Sequence, residues 1–528
     1  MRKTRLLCLA SLAALTAGCA TVGPNFKAPT PPQAQGYAMA GDVQTAQAQF
    51  GQQLAGDWWA LFQSPDIDQT VRAAVAGNHN LESARQSLLQ ARDAIAAQAA
   101  RASLDANAGV AETRVNLSSF GFSQFPLPGG QTLTLSNPTF TEYSFGLSGK
   151  YDFDLFGGRK RESERLLAAA EAQGYQTDAA YLTLTAQVVG QAIAIAGFKA
   201  QIGAAEEIVK SDQANLDVAD KAFKLGGGTR LDVATVQTEL AADQAQITPL
   251  RQQLATARHA MALLVGQPPS GFTPPDFDLD GIVQPTAVPV ELPTELVHSR
   301  PDIQASEAQL HAAIAQIGVS TADLYPKISL NGTFTQSALH PQDLFSYGAT
   351  GFSIGPAISV PILGRGQLKA KVSMAEDSAR AAYANYQQVV LNAFVQVSDA
   401  LQAVAHDDQA LSEAQSELAS STDALRLQRL RFQDGKVGLL PVLDNQRSYA
   451  RALMATVRAR AQRLQDTAAL LYAVSRNWNR AAPPNRSAPT SPPSPSPAPG
   501  SGPRRCSKAP PRRTSALPPP FHGGGKGR

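Results

Sequence analysis

Reading every seventh residue from Val390 gives Val397, Val404, Leu411, Leu418, Leu425 and Phe432, an unbroken apolar column. Between Pro361 and Pro441 there is no other proline, and Gly364, Gly366, Gly435 and Gly438 mark the ends. A strict heptad column of this length predicts a long, slightly underwound helix packed on neighbouring helices. From Gln367 to Phe432, at 1.5 Å per residue, the rod spans roughly 100 Å, about three times a membrane's hydrocarbon thickness. The same column occurs once before, as Val188, Ile195, Ile202, Val209, Leu216 and Phe223, and adding 209 to each number lands on Val397 through Phe432. This is an internal duplication. Gly226 pairs with Gly435 at the same offset, and each precedes a further helical stretch, Asp232 to Val265 and Val442 to Val474.

Period-two patterns lie before each rod. Tyr143, Phe145, Leu147, Tyr151, Phe153 and Leu155 alternate with Ser144, Ser148, Lys150, Asp152 and Asp154, as in a strand with one apolar face. An earlier candidate, about Leu104 to Leu117, slips phase near Val110 and Ala111, which predicts a bulge. Ser118 to Phe140, rich in Gly, Pro and Ser, reads as an exposed loop. The pair recurs as Ile328, Leu330 and Phe334, then Phe352, Ile354, Ile358, Val360 and Ile362. Helical stretches precede both pairs, with Leu81 and Ile95 matching Ile303 and Ile317.

Each unit is therefore helix, strand, loop, strand, very long helix, reversal, helix. The chain divides into 1–18, a signal peptide; 19–56, a Pro-, Gln- and Ala-rich tether; 57–267, the first repeat, opened by Asp57-Trp58-Trp59 and Phe62; 268–293, a linker; 294–480, the second repeat; and 481–528, a Pro-, Ser- and Arg-rich tail too poor in apolar surface to fold.

Four strands of about 12 residues suit a tilted transmembrane β-strand, which needs about 9 to 11. Four cannot close a barrel alone, and an open edge is not tolerated in lipid, so other copies must complete it. Alternation alone fits a soluble sandwich equally well; two rods of roughly 100 Å favour the membrane reading.

Composition narrows the picture. Charged residues are 17% and the net charge is +3, so nothing points to nucleic acid. Aromatics are 6%, which favours helix-on-helix packing. Arg2, Lys3 and Arg5 followed by Leu6 to Leu15 form the n- and h-regions of a signal sequence. Leu15-Thr16-Ala17-Gly18-Cys19 resembles a bacterial lipobox, which implies that Cys19 carries a covalent lipid and becomes the mature N-terminus, and that Ala20 directs it to the outer membrane. Cys8 would leave with the signal and Cys506 lies in the tail, so no structural disulfide is expected. The seven histidines are scattered without metal-ligand spacing, and neither a serine elbow nor a mature cysteine beside a base occurs. No enzyme, metal or cofactor is expected beyond that lipid. The tail's Gly523-Gly524-Gly525-Lys526 lacks the strand, spacing and hydroxyl of a phosphate loop.

Several stretches resemble the outer-membrane efflux (TolC-like) family, in its lipoprotein branch serving resistance–nodulation–division pumps. They are Asp57-Trp58-Trp59 with Phe62 and Pro65; Tyr151-Asp152-Phe153-Asp154-Leu155-Phe156-Gly157; and Arg300-Pro301-Asp302-Ile303 with Glu307, Ile317-Gly318 and Tyr325-Pro326. Pro361-Ile362-Leu363 with Gly366, and the run Gly435 to Arg447, also match, so the resemblance covers about residues 57–480. It implies a mixed α/β membrane protein, a homotrimer whose 12-stranded β-barrel continues as a 12-helix tunnel through the periplasm. It further implies an exit duct for small molecules or drugs, docked to a periplasmic adaptor and an inner-membrane resistance–nodulation–division transporter.

Matched position by position, Leu440 and Asp444 of Gly438-Leu439-Leu440-Pro441-Val442-Leu443-Asp444 would form apolar and acidic rings of a periplasmic gate, although Pro441 departs from the polar residue usual there. Gly226, Asp232 and Gly435 mark reversals where an adaptor would touch, with plain helix capping the simpler role for Asp232. Asp152 and Asp154 either line the lumen or end the strand, and Arg300-Pro301-Asp302 sets a helix start. Two rivals stay open: the exit duct of a type I protein secretion system, and a pore-free periplasmic coiled-coil lipoprotein, against which the two strand pairs argue.

Overall fold

The computed structural model describes residues 21–476, apart from 33, 35, 44–47, 53, 55, 102–104, 117–123, 127 and 135–138. The signal and lipobox with Cys8 and Cys19, and the tail with Cys506, lie outside the described residues. In chain order, strand β1 (Ala48–Phe50) precedes a 3₁₀ turn at Trp58–Phe62, helix α1 (Pro65–Gly77) and helix α2 (His79–Arg101). Strands β2 (Asp105–Asn116), β3 (Gln124–Pro126), β4 (Thr132–Thr134) and β5 (Thr139–Phe153) lead into α3 (Gly158–Lys224) and α4 (Arg230–Val265). The second half runs through β6 (Val288–Val290), α5 (Pro293–Ser299), α6 (Pro301–Ala322), β7 (Lys327–Ala338), β8 (Thr350–Ser359), α7 (Arg365–Gln433) and α8 (Leu440–Ala473).

The two rods are helices of 67 and 69 residues, about 100 Å each. Both end alike. Gly226 (φ 77°) and Gly435 (φ 71°) take the left-handed conformation, and the amides of Gly227 and Lys436 reach back to Ala222 O and Arg431 O. These are two Schellman stops, and a side chain at either glycine would strain the turn. The duplication is thus structural, down to the way each rod terminates.

Shorter helices flank the rods in two tiers. Toward the strands, α2 and α6 pack on α3, and α6 also packs on α7. Toward the reversals, α4 and α8 pack on α3, and α8 on α7. Among the described residues, every level therefore carries four helices per chain. The largest buried cluster sits between the tiers, where Trp58, Phe62, Ile67, Val188, Ile193, Val390, Val397, Leu464 and Leu470 are each at most 1% exposed. The heptad columns are sealed there and loosen outward, so that Phe223 is 46% exposed. Arg300, itself buried, fixes the start of α6: it forks onto Asp302 at 3.0 and 2.7 Å and bonds Ala473 O and Gln396 Oε1.

Four expectations need correction. Strand β2 pairs with β5 without a break from Asp105↔Lys150 to Asn116↔Thr139, so there is no bulge at Val110 and Ala111. The change of phase reflects a face that begins apolar and continues with Glu112 toward the loop. The stretch read as a loop, Ser118 to Phe140, contains the β3–β4 hairpin. Strands β5 and β8 end at Phe153 and Ser359, short of Leu155, Val360 and Ile362, because the chain there turns to enter the rods. The stretch read as a tether is docked along the body. Its β1 pairs in parallel with β6, and Tyr37, 6% exposed, donates to Glu291 O while its own carbonyl accepts from Ser398. Pro-rich sequence that looks extended has here found partners for its backbone groups.

Candidate functional site: a two-faced sheet and a polar clamp near the reversals

The four long strands form one antiparallel sheet in the order β2-β5-β7-β8, with β2 and β8 as edges. Register puts Phe153, Tyr151 and Leu147 opposite Ile328, Leu330 and Phe334, and these opposite Ile358, Pro356 and Phe352. One face is therefore apolar across the sheet. It is also bare within the chain: Val110, Phe352, Ile354 and Ile358 are 67–83% exposed. The other face carries Ser144, Ser148, Lys150, Asp152, Ser329, Asn331, Thr333, Thr335 and Ser353. Thr333 and Ser353 hydroxyls share a 2.7 Å hydrogen bond, and Lys150 pairs with Asp152 at 3.0 Å. A sheet exposing large apolar residues on one side and hydrogen-bonding groups on the other fits a wall between lipid and water. Asp152 lies on the polar face. Asp154 lies past the strand, where its oxygens accept from the amides of Arg159 and Lys160 and cap α3.

At the far end of the rods, Leu443, 1% exposed, pins the start of α8 against Ala219 and Val236, and Val442 beside it is buried as well. Leu440 and Asp444, four residues apart on one side of the helix, are both exposed. Pro441 occupies the first turn, where its missing amide costs nothing. Asp444 bonds Arg447 at 3.0 Å, and Arg447 also reaches Glu239 of α4. At the first reversal Asp232 closes a capping box. Thr229 donates its amide and hydroxyl to the carboxylate at 2.8 and 2.7 Å and accepts from the Asp232 amide. Those donors hold Asp232 below the usual aspartate range.

Sequence reasoning missed a buried polar cluster between the two helix pairs. Asp212 of α3, 3% exposed, accepts from Gln446 Nε2 of α8 at 3.0 Å. Gln446 Oε1 in turn accepts from Asn215 and from Arg429 of α7. Burial, then the neighbouring Asp243 carboxyl of α4, push Asp212 up to about 7, against the pull of Gln446 and Arg447. The cluster ties all four lower helices together. Nearer the middle, Asp407 is likewise raised to about 7 by burial and by Asp466. In sequence these residues look like ordinary polar positions on solvated helix faces; only Asp444 and Arg447, three apart, carried a local signal.

The Outer membrane efflux protein family model matches residues 70–267 and 292–475. This chain belongs to that family. It is 28% identical over 486 residues to the pyoverdine export outer membrane protein OpmQ of Pseudomonas putida, covering 92% of this chain and all of that one. It is 28% identical over 455 residues to the cation efflux system protein CusC of Escherichia coli, covering 85% of this chain and 93% of that one. Among solved structures, the outer-membrane channel OprN superposes with a TM-score of 0.75 at 25% identity, covering 87% of this chain and all of that one. The open state of the Neisseria gonorrhoeae MtrE channel gives 0.74 at 26%, covering 87% and 99%. As a member of this family, the chain is an outer-membrane channel of an efflux system, and the bare sheet face and the rods are its wall.

Proposed function

We propose that three copies assemble into a duct that passes small molecules outward passively, while a periplasmic adaptor and an inner-membrane transporter of the resistance–nodulation–division type supply the energy. The observation that carries this is the open-edged, two-faced sheet continued by four helices at every level. Two copies would give a barrel of about eight strands, whose interior side chains fill. Three give 12 strands and 12 helices per level, the smallest closed ring with an aqueous bore. The 57–267 and 294–480 repeats then contribute equally to the wall.

In this reading Leu440 and Asp444 form the gate, three symmetry copies of each ringing the bore, and Asp444 draws in cations. Asp232, with Gly226 and Gly435, presents the reversals to the adaptor, and Asp152 lines the lumen. The protein carries no catalytic activity and no cofactor apart from a lipid on Cys19. Reconstitution into planar bilayers tests the duct: low conductance is expected for the native chain and a rise for Leu440→Ala with Asp444→Ala. No conductance from either would sink it. Palmitate labelling tests the anchor, since label retained by Cys19→Ser would overturn the assignment.

A further inference from the structure

Arg161, in the first turn of α3, is only 3% exposed, yet most of its partners lie far earlier in the chain, in residues 22–25. Its Nε donates to Val22 O at 3.0 Å, and Nη2 donates to Gly23 O at 3.2 Å and Asn25 Oδ1 at 2.7 Å. Nη1 pairs with Glu164 at 2.7 Å, and Glu164 holds His311 of α6, whose ring stacks on Phe26 at 4.3 Å. Three groups interlock without room for a methyl. A Cβ on Gly23 would sit 2.5 Å from the Gly318 Cα, and one on Gly318 would sit 2.7 Å from the Arg161 Cγ. The Val22 amide donates to Phe156 O at 3.1 Å, and Phe156 stacks on Tyr325 at 4.5 Å. Phe156 lies between β5 and α3, and Tyr325 between α6 and β7, so the contact spans both junctions between helix and sheet.

We propose that residues 21–26 are held in a clasp built by Arg161, His311 and Gly318, and that the clasp sets where the acyl chains of Cys19 enter the membrane. The proposal rests on the lipid-anchor reading above. Cys19 is three residues from Val22, a reach of at most about 11 Å. That confines the lipid to the rim of its own sheet, where Tyr151 and Phe153 stand edge to face at 5.1 Å on the apolar side with Arg159 beside Tyr151. A loose tether of about 30 residues would instead let the anchor wander some 30 Å. Arg161 is thus a positioning residue, and Gly318, prominent in the sequence for no evident reason, is small so that Arg161 and the strap can pass.

The test feeds cells a fatty acid carrying a photoreactive diazirine, irradiates them, and maps cross-links on the purified full chain. Cross-links are expected on peptides containing Tyr151 to Phe153 and Ile328. Inserting eight Gly/Ser residues between Ala20 and Thr21 leaves the clasp intact but lengthens the leash, and rim cross-links should fall about threefold as the area reached grows. Arg161→Ala should do the same without any insertion. Absence of label would overturn the anchor reading itself. Label present but cross-linked only to lipid, spread evenly over the sheet, or unchanged by the insertion would overturn the clasp.

Discussion

Replacing Asp212 by Asn should flatten part of the pH dependence of stability. Asp212 is buried between α3 and α8 and shares its site with Asp243, so the folded protein keeps its proton up to about pH 7. An unfolded chain gives that proton up near pH 3.8. Between these values the folded state binds more protons, so stability falls as pH rises, and above pH 7 this contribution is gone. From pH 5 to pH 8 the loss covers about two units, at 1.36 kcal/mol each a ceiling of about 3 kcal/mol. Asp407, raised for the same reason beside Asp466, adds a share of similar size.

An unfolding entropy of about 2.1 cal/mol/K per residue over roughly 450 folded residues converts 3 kcal/mol to about 3 °C. The assay is thermal unfolding in detergent by circular dichroism at a fixed scan rate. The native Tm should drop by about 6 °C at most between pH 5 and pH 8, and Asp212→Asn should halve the drop. Asp212→Asn with Asp407→Asn should nearly remove it. Carboxylates held low, such as Asp68, Glu164 and Asp276, lose their stabilising effect only on acidification below this window. A native Tm that rises between pH 5 and pH 8, or a slope that Asp212→Asn leaves intact, refutes the reasoning.

Other outcomes follow from the same geometry. Ile354→Arg puts a charge on the apolar face and should cost about 2–4 kcal/mol near the bilayer midplane, read as loss of the protein from outer-membrane fractions. Ser353→Arg, one residue away on the polar face, should insert normally. Asp232→Ala removes the capping box and should speed amide exchange in the first turns of α4, leaving the sheet unchanged. Arg447→Ala frees Asp444 and cuts the link from α8 to Glu239, so single-channel conductance should rise with little change in Tm. If conductance stays at the native level, the Arg447 link does not restrain the reversal.

The rods, their duplication and the strand faces are legible in the chain because each depends on local periodicity. A seven-residue column needs only itself to say that Val188 and Val390 face a partner, and Gly226 and Gly435 announce their stops by spacing. Leu440 and Asp444 could be placed at a reversal for the same reason. The phase change at Val110 misled, because alternation does not distinguish a bulge from a strand whose face changes polarity along its length. The docked strap was also invisible, since the groups that hold it, Arg161 and Ser398, are far away in the chain.

What the sequence determined by itself is the wall: two rods of roughly 100 Å, four two-faced strands and the turns that order them. What only the tertiary structure decided is how its ends are held. Asp212 meets Gln446 across 234 positions, and Arg161 meets Val22 across 139. A polar side chain on a long helix carries no local mark of whether water or a second helix will face it. That choice belongs to packing, and with it come the raised carboxyl of Asp212 beside the second reversal and the contacts that hold residues 22–26 against Arg161 and His311.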